Sequence, residues 1–243
     1  FYGNAGVEIN NVAHGDFGSV FEGFVNVPLG ERAAARLVGW YRDDGGYIDN
    51  IPGTRTYPIH TLVDTDGDPD TDMEIVDLPG DEINQNNASL VEKNFNDAST
   101  YGARLALGIE LNDSWTLKPT LMGQVQKTEG SYARERSGQN SGDYQTVQYN
   151  PESSRDKWIQ AAMTIEGKIG NCDLTLTDGH LRRKTNTESD YSDYGYFYDA
   201  LSGYSAYWRD NADNPVSPNQ HIQGIDRYRK SFGEFRVSSS QDA

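Results

Sequence analysis

The sequence predicts an all-β fold, an antiparallel up-and-down meander, from three observations. Several segments alternate apolar and polar residues at the period of a half-buried strand. The mean hydropathy of −0.75 comes with short apolar runs interrupted by charge, so no membrane-spanning helix is expected. Short turns also alternate along the chain with long polar tracts. Because alternate connections of a meander lie at opposite ends, we expect the short turns at one end and the long tracts at the other.

The first elements are a weak strand at Gly6 to Asn10 and then a clear hairpin. Phe17 to Val27 and Ala33 to Arg42 alternate well, and Pro28 to Arg32 carries the proline and glycine of a turn. The returning strand has one apolar face and one face that carries two arginines. The apolar face comprises Ala33, Ala35, Leu37, Gly39 and Tyr41, against Ala34, Arg36, Val38, Trp40 and Arg42.

The second hairpin has the cleanest alternation in the chain. Ser99 to Leu111 and Trp115 to Lys127 are joined by Asn112 to Ser114, which is typical turn chemistry. Pro119 would weaken a central strand of a soluble sheet because it lacks a donor for the ladder.

The third hairpin pairs Lys157 to Gly167 with Cys172 to Arg183, and Tyr228 to Ser239 predicts a last strand. Asp178 interrupts the apolar face of the second of these strands. Three long polar tracts separate the hairpins and are predicted as loops. They are Asp43 to Ala98, Thr128 to Asp156 and Lys184 to Arg227.

The asymmetry of the connections favours part of a transmembrane β-barrel, since such barrels combine short periplasmic turns with long extracellular loops. Tyr41, Tyr101 and Trp115 stand at strand ends on the apolar parity, where an aromatic girdle would lie. Trp40 and Trp158 fall on the other parity and do not support the girdle. A soluble β-sandwich with decorated loops alternates in the same way and stays open as the alternative.

Composition limits the possible functions. The chain has 243 residues and a net charge of −16, which argues against nucleic acid as a partner. The single cysteine, Cys172, rules out an internal disulfide framework. No nucleophile–base or phosphate-loop motif occurs, so no enzyme is predicted. The four histidines are scattered at His14, His60, His180 and His221.

The third polar tract is rich in tyrosine and forms the candidate ligand-binding segment. Aromatic rings beside carboxylates and hydroxyls suit sugar stacking or a planar siderophore. The alternative is that the rings only pack the loops against each other. The candidate ligand-binding residues are Tyr191, Tyr194, Tyr196, Tyr198, Tyr204, Tyr207 and Trp208.

An acidic run in the first polar tract is the candidate metal site. Alternating carboxylates around Gly67 suit a hard cation, so calcium is the cofactor that we consider. The spacing of an EF-hand is not met, and a solvated acidic loop is the alternative. The candidate ligands are Asp64, Asp66, Asp68, Asp70 and Asp72.

Charged residues also fall on the polar parity of the predicted strands. Arg36, Arg104, Lys118 and Glu110 would line a lumen, where they are expected to pair with each other or with a plug rather than with substrate.

Long stretches of the chain resemble the TonB-dependent outer-membrane receptors. The resemblance runs from VFEGFVNVPLGERAAARLVGWYRDDGGYIDNIPGTRTYP through NFNDASTYGARLALGIELNDSWTLKPTLMGQ to KWIQAAMTIEGKIGNCDLTLTDGHLRR and ESDYSDYGYFYD. It ends in KSFGEFRVSSS, which is similar to the family's Glu-x-Arg-x-Ser strand at Glu234, Arg236 and Ser238.

The resemblance implies a 22-stranded barrel with an N-terminal plug, opened by the TonB energy-coupling complex. Residues 1–243 would then be a partial barrel domain, without plug or signal peptide, in the outer membrane of a Gram-negative bacterium. The implied function is energy-coupled uptake of a scarce nutrient, with a small-molecule ligand and outer-membrane lipid as partners. A siderophore, an oligosaccharide and a cofactor all remain open as cargo. The alternatives are a surface-exposed structural or ligand-binding β-protein and a passive porin.

Overall fold

The structure is a computed structural model that describes residues 1–68, 73–132 and 142–239. The chain forms twelve strands, one α-helix and two 3-10 helices in these ranges. In chain order the strands are β1 (Tyr2–Asn11), β2 (Phe17–Pro28), β3 (Ala33–Asp44), β4 (Asp49–Asn50), β5 (Thr54–Asp64), β6 (Met73–Asn86), β7 (Ala98–Asn112), β8 (Trp115–Glu129), β9 (Gln145–Thr146), β10 (Ser153–Ile169), β11 (Cys172–Asp190) and β12 (His221–Ser239). The helices are α1 (Ser192–Ser202) and the 3-10 helices η1 (Ala88–Leu90) and η2 (Tyr204–Tyr207).

The main sheet has eight strands in the order β1-β2-β3-β7-β8-β10-β11-β12, and every neighbouring pair is antiparallel. These are the eight segments that the alternation predicts, in the order of the chain, so the all-β meander is confirmed. Closure of the sheet is not seen, since β1 and β12 pair with one neighbour each within the described ranges.

The strands extend beyond the predicted segments at the end of the sheet that carries the long connections. β11 continues past Arg183 to Asp190, and β12 begins at His221 instead of Tyr228. Ladder hydrogen bonds are made by the backbone, so a strand continues through polar residues wherever a partner strand runs beside it. The apolar pattern marks only the part of each strand with an apolar face.

Three short turns and the three long connections lie at opposite ends of the sheet, as predicted, but the short β1–β2 connection lies at the end of the long ones. The turns β2–β3, β7–β8 and β10–β11 occupy one end, and the tracts after β3, β8 and β11 occupy the other. Gly170 adopts a positive φ of 58° in the last of these turns. The side chain of Asn112 accepts a hydrogen bond of 2.9 Å from the backbone of Ser114 in the middle one.

Pro119 lies within β8 between two partner strands, opposite Met163 of β10. On its other side the paired register with β7 runs to Ala106 and resumes at Ile109, so the ladder is interrupted opposite the proline. The missing N–H of proline accounts for this local gap.

The register places one continuous apolar surface on a single face of the sheet. One row across all eight strands reads Val7, Phe21, Tyr41, Tyr101, Val125, Lys157, Lys184 and Arg227. Another row joins Leu37, Leu105, Leu121 and Ala161. We call this surface the apolar face and the opposite surface the polar face.

Most of the large side chains of the apolar face are exposed, the others are half-buried and none is fully buried, since no other part of the described chain covers them. Leu37 is 49% exposed, Leu121 46% and Ile159 49%. On the polar face of these strands the exposed large hydrophobic residues are Tyr2, Ile222 and Tyr228. A soluble sheet would bury such a face, and this one does not.

The buried apolar residues of the described chain lie instead among the long connections. They are Ile48, Tyr57, Tyr149 and Ala206, with Ala98 at the start of β7. We call these packed connections at one end of the sheet the cap (residues 45–68, 73–97, 130–132, 142–152 and 191–220). The three tracts predicted as loops therefore contain the β5–β6 hairpin and helix α1, and they pack on each other.

Buried amides join the tracts of the cap. The side chain of Asn50 donates to Leu90 O at 2.7 Å and accepts from the backbone N–H of Gln148 at 2.8 Å. Asn150 donates to the carboxylate of Asp190 at 2.9 Å and to Gln220 O at the same distance. Within the described ranges no helix is both long and apolar enough to cross a membrane.

Candidate ligand-binding surface

Helix α1 displays the tyrosine-rich segment that the sequence singles out. The carboxylate of Asp190 accepts a hydrogen bond of 2.9 Å from the backbone of Ser192, which satisfies a free N–H at the start of the helix. Gly203 ends it in the left-handed conformation at φ 60°, with its N–H bonded to Asp199 O at 2.7 Å. Local capping therefore fixes both ends of this helix.

Three predicted tyrosines form a ladder along one side of α1. Tyr191, Tyr194 and Tyr198 follow a spacing of three and four residues, which brings them onto one helical face. Their ring centroids lie 4.7 Å and 4.4 Å apart, and all three rings are exposed. A hydrogen bond with Tyr198 raises the pKa of the Tyr194 hydroxyl. The ladder offers aromatic faces and hydroxyl tips to a ligand.

Tyr204, Tyr207 and Trp208 form a second aromatic group on and after η2. The ring of Tyr204 lies 6.2 Å from that of Tyr207 and 6.0 Å from that of Trp208. Tyr204 and Tyr207 are exposed, while Trp208 is half-buried. The Nη2 of the adjacent Arg209 donates to His60 O at 2.8 Å and fixes this group to the β5–β6 hairpin.

Tyr196 lies apart from the ladder and packs on β5. Its ring meets that of Tyr57 edge-on at 5.7 Å, and the guanidinium of Arg55 lies 5.1 Å from its centroid. Arg55 also stacks on Tyr149 at 4.4 Å and binds Ser192 and Asp193. Burial lowers the pKa of Arg55, but the hydrogen bond and charge of Asp193 outweigh it and raise the pKa overall.

A cleft of about 480 Å³ separates α1 from the β5–β6 hairpin, a size in the usual range for ligand sites. His60 lines it and is 7% exposed. Its Nδ1 lies 2.6 Å from Asp77 Oδ1 and its Nε2 lies 3.6 Å from Asp199 Oδ1, without hydrogen-bond alignment in either case. Both ring nitrogens therefore lack an aligned hydrogen-bond partner in the described part of the chain.

Asp199 is 2% exposed and accepts a hydrogen bond of 2.9 Å from the backbone of Ser205. It thus holds η2 against α1 on one wall of the cleft, while His60 and Thr56 come from the other wall. Polar groups from two elements converge beside an aromatic ring, which is the composition expected of a small-molecule site.

The predicted aromatic residues are therefore divided between the ladder, the group at η2 and Tyr196 on β5, and the residues that support them were missed. Asp199 lies within the tyrosine tract, but Arg55, Tyr57 and His60 carry no pattern in the sequence that links them to it. Arg55 and Ser192 are 137 positions apart. Only the fold of the cap brings them into contact.

The described part of the acidic run, Asp64 to Asp68, lies at the end of β5 and directly after it. Asp64 Oδ1 accepts from the backbone of Asp66 at 3.1 Å and of Gly67 at 2.6 Å, and Asp66 Oδ1 accepts from Asp68 at 2.9 Å. Asp70 and Asp72 lie outside the described residues. No cluster of three metal-ligating side chains occurs in the ranges that the structure describes, and calcium binding stays a prediction.

The charged residues predicted for a lumen lie on the polar face. Lys118 Nζ lies 2.5 Å from Glu166 Oε2, and Arg36 stacks on the ring of Phe24 at 4.0 Å. A cleft of about 410 Å³ on this face is lined by Arg36, Arg104 and Lys118 among others. Lys118 therefore has a structural partner, but this is Glu166 and not one of the other three predicted residues.

Comparisons of the chain with protein-family models, with curated proteins and with solved structures found no match.

Proposed function

We propose that this chain is part of the barrel of an outer-membrane, TonB-dependent receptor that takes up a scarce nutrient. The observation that carries the proposal is the exposed apolar face of the eight-stranded meander. Lipid is the environment in which such a face is stable without a second protein layer.

The dimensions of the apolar face support a membrane span. Val125 lies ten positions after Trp115 on β8, and both residues lie on this face. This is about 33 Å along a strand, or about 25 Å of height at the usual tilt of barrel strands. The apolar band of outer-membrane barrels is about 25 Å tall.

The cap supports the same assignment. All three long connections lie at one end, where extracellular loops are expected, and they present an aromatic surface beside a cleft. We assign nutrient binding to the ladder of Tyr191, Tyr194 and Tyr198 and to the cleft at His60. A siderophore, an oligosaccharide and a cofactor all suit this combination of rings and polar groups.

The alternatives differ in what they require. A surface-exposed binding β-protein needs another layer over the apolar face, and the described residues provide none. A passive porin needs neither the coupling complex nor a built binding site. The aromatic surface and cleft favour the receptor over the porin.

The test is uptake by cells that express the gene product carrying this chain, with a ferric tris-catecholate and maltohexaose as probes. A receptor accumulates one of them, and a protonophore or loss of the coupling complex stops uptake. Tyr194→Ala and Tyr198→Ala should each weaken binding of that probe by about tenfold, because an aromatic contact contributes roughly 1–3 kcal/mol.

Tyr144→Ala is the matched control, because Tyr144 is an exposed cap tyrosine that stacks on His14 away from α1. It should leave binding unchanged. Uptake that continues without a proton gradient would instead assign the chain to a porin.

A further inference from the structure

The apolar face becomes basic where β8, β10, β11 and β12 approach the cap. We call this surface the basic patch, and all of its side chains are exposed. It comprises Lys127, Arg155, Lys157, Arg182, Lys184, Arg227 and Arg229.

The register makes the patch compact. Lys157 pairs with Lys184, which pairs with Arg227, and the next row toward the short turns contains Arg182 and Arg229. Neighbouring strands lie about 4.8 Å apart and successive residues on one face about 7 Å apart. The patch therefore covers an area of about 15 Å by 15 Å on the sheet.

This concentration of positive charge is unexpected in a chain of net charge −16. The patch holds seven of the 21 lysines and arginines. On the same face Glu129 and Glu188 lie one row nearer the cap, and Asp178 lies two rows below Arg182 toward the short turns.

Within the described chain the seven side chains form no ion pair, and Arg182 donates only to His180 Nε2 at 3.3 Å. On the polar face, by contrast, Arg183 pairs with Asp156 and Arg236 with Glu234.

Adjacent like charges on paired strands repel each other, so this arrangement costs stability unless an anion binds there. On β8 and β10 the face beside and below the patch is apolar: Ile159 shares the row of Arg182, and Leu121 and Met163 follow toward the short turns, while β11 carries His180 and Asp178 in those lower rows. An occupant that complements both surfaces carries negative charge at one end and hydrocarbon at the other.

We propose that the basic patch binds the phosphate groups of an anionic lipid whose acyl chains lie along Ile159, Leu121 and Met163. Arginine and lysine extend from an apolar surface toward charged headgroups, and arginine binds phosphate with two parallel hydrogen bonds. Clusters of basic residues at a membrane border attract anionic lipids for this reason. The proposal rests on the proposed membrane orientation of the apolar face.

The test uses the protein with Cys172→Ser and a fluorescent label at Ile159→Cys, inserted into vesicles of equimolar phosphatidylcholine and phosphatidylglycerol. Bromine atoms on one lipid or the other quench the label by contact. We expect brominated phosphatidylglycerol to quench at least about threefold more than brominated phosphatidylcholine, and about 0.5 M salt to reduce this preference.

The triple variant Lys157→Gln, Lys184→Gln, Arg227→Gln should bring the two lipids to equal quenching. The control removes the same charge from the polar face, by Arg36→Gln, Arg104→Gln and Lys230→Gln, and should keep the preference. Equal quenching by both lipids in the unmodified patch, or loss of the preference in the control, overturns the proposal. Absence of quenching by either lipid instead overturns the membrane orientation on which it rests.

Discussion

Buried asparagines hold the cap together at the level of single residues. Asn50, Asn87 and Asn96 are each no more than 2% exposed, and each bonds to backbone groups of a neighbouring segment. A side-chain amide both donates and accepts, so it satisfies backbone groups that have no ladder partner. These hydrogen bonds from buried asparagines allow long connections with few apolar residues to pack in a defined arrangement.

Asn50→Ala should destabilise the cap by about 1–3 kcal/mol, because Leu90 O and the Gln148 N–H lose their partner in a buried site. Hydrogen exchange of the amides in residues 45–97 and 142–152 measures the effect. Asn84→Ala is the control, since this exposed amide bonds only at the surface, to Thr56 Oγ1. Equal exchange in the two variants would argue against the role of Asn50.

Glu152 should make the stability of the cap depend on pH. Burial raises the pKa of its carboxyl above the ordinary 4.5. The folded chain thus holds this proton more tightly than the unfolded chain, and that stabilisation is present below pH 4.5 and lost as pH rises through the raised pKa.

Glu152→Gln should therefore stabilise the protein slightly at neutral pH, because the side chain is half-buried and solvent screens part of the effect, and the difference should fade below about pH 4. Thermal unfolding from acid to neutral pH measures this difference. Glu74→Gln, at an exposed position of the β5–β6 hairpin, is the surface control. A gain that persists unchanged at acid pH would show that burial of the charge is not the cause.

At the scale of residues, the sequence indicated which kinds of side chain form the candidate site, but not which residues of other tracts contact them. The seven aromatic residues were chosen because rings and carboxylates are dense in one tract, and the structure places three of them in the ladder, three on and after η2, and Tyr196 against β5. Arg55 and His60 could not be chosen, because their position beside this tract depends on contacts between tracts far apart in the chain.

At the scale of elements, the alternation of apolar and polar residues predicted all eight strands of the sheet, but it did not predict the polar strand ends next to the cap. Residues 184–190 of β11 are polar on both parities and pair through the backbone alone. Helix α1 was missed because its apolar residues are few, and its ends are set by Asp190 and Gly203. The β5–β6 hairpin was missed because its apolar residues do not alternate regularly: Leu62 and Val63 are adjacent, and the register shifts between Pro58 and His60.

The close packing of β3 on β7 gives a test of the strand arrangement. A Cβ at Gly102 would meet the Trp40 ring, so Gly102→Ala should destabilise the sheet by about 1–3 kcal/mol. Gly108, on the same strand, has no neighbour within 4 Å of such a Cβ, and Gly108→Ala should be neutral or slightly stabilising. Unfolding by urea in detergent micelles measures both. The reverse order would contradict the register of β3 and β7.

At the scale of the whole molecule, the chain divides into a sheet without a buried core and a cap that contains one. The alternation of short and long connections predicted that the long connections lie together at one end of the sheet, because their location depends only on the order of the strands. Packing within the cap was not predictable, because it is built from amide networks and aromatic contacts that have no period. The membrane assignment remains the central proposal.

The most direct test compares two adjacent residues of β8, Leu121 on the apolar face and Met122 on the polar face. Each is replaced by cysteine in the Cys172→Ser background, labelled with a fluorophore and inserted into vesicles of brominated lipid. Because successive side chains of a strand point to opposite faces, we predict strong quenching at 121 and at least about threefold weaker quenching at 122. Equal quenching at both positions, or none at either, would contradict a lipid-facing sheet.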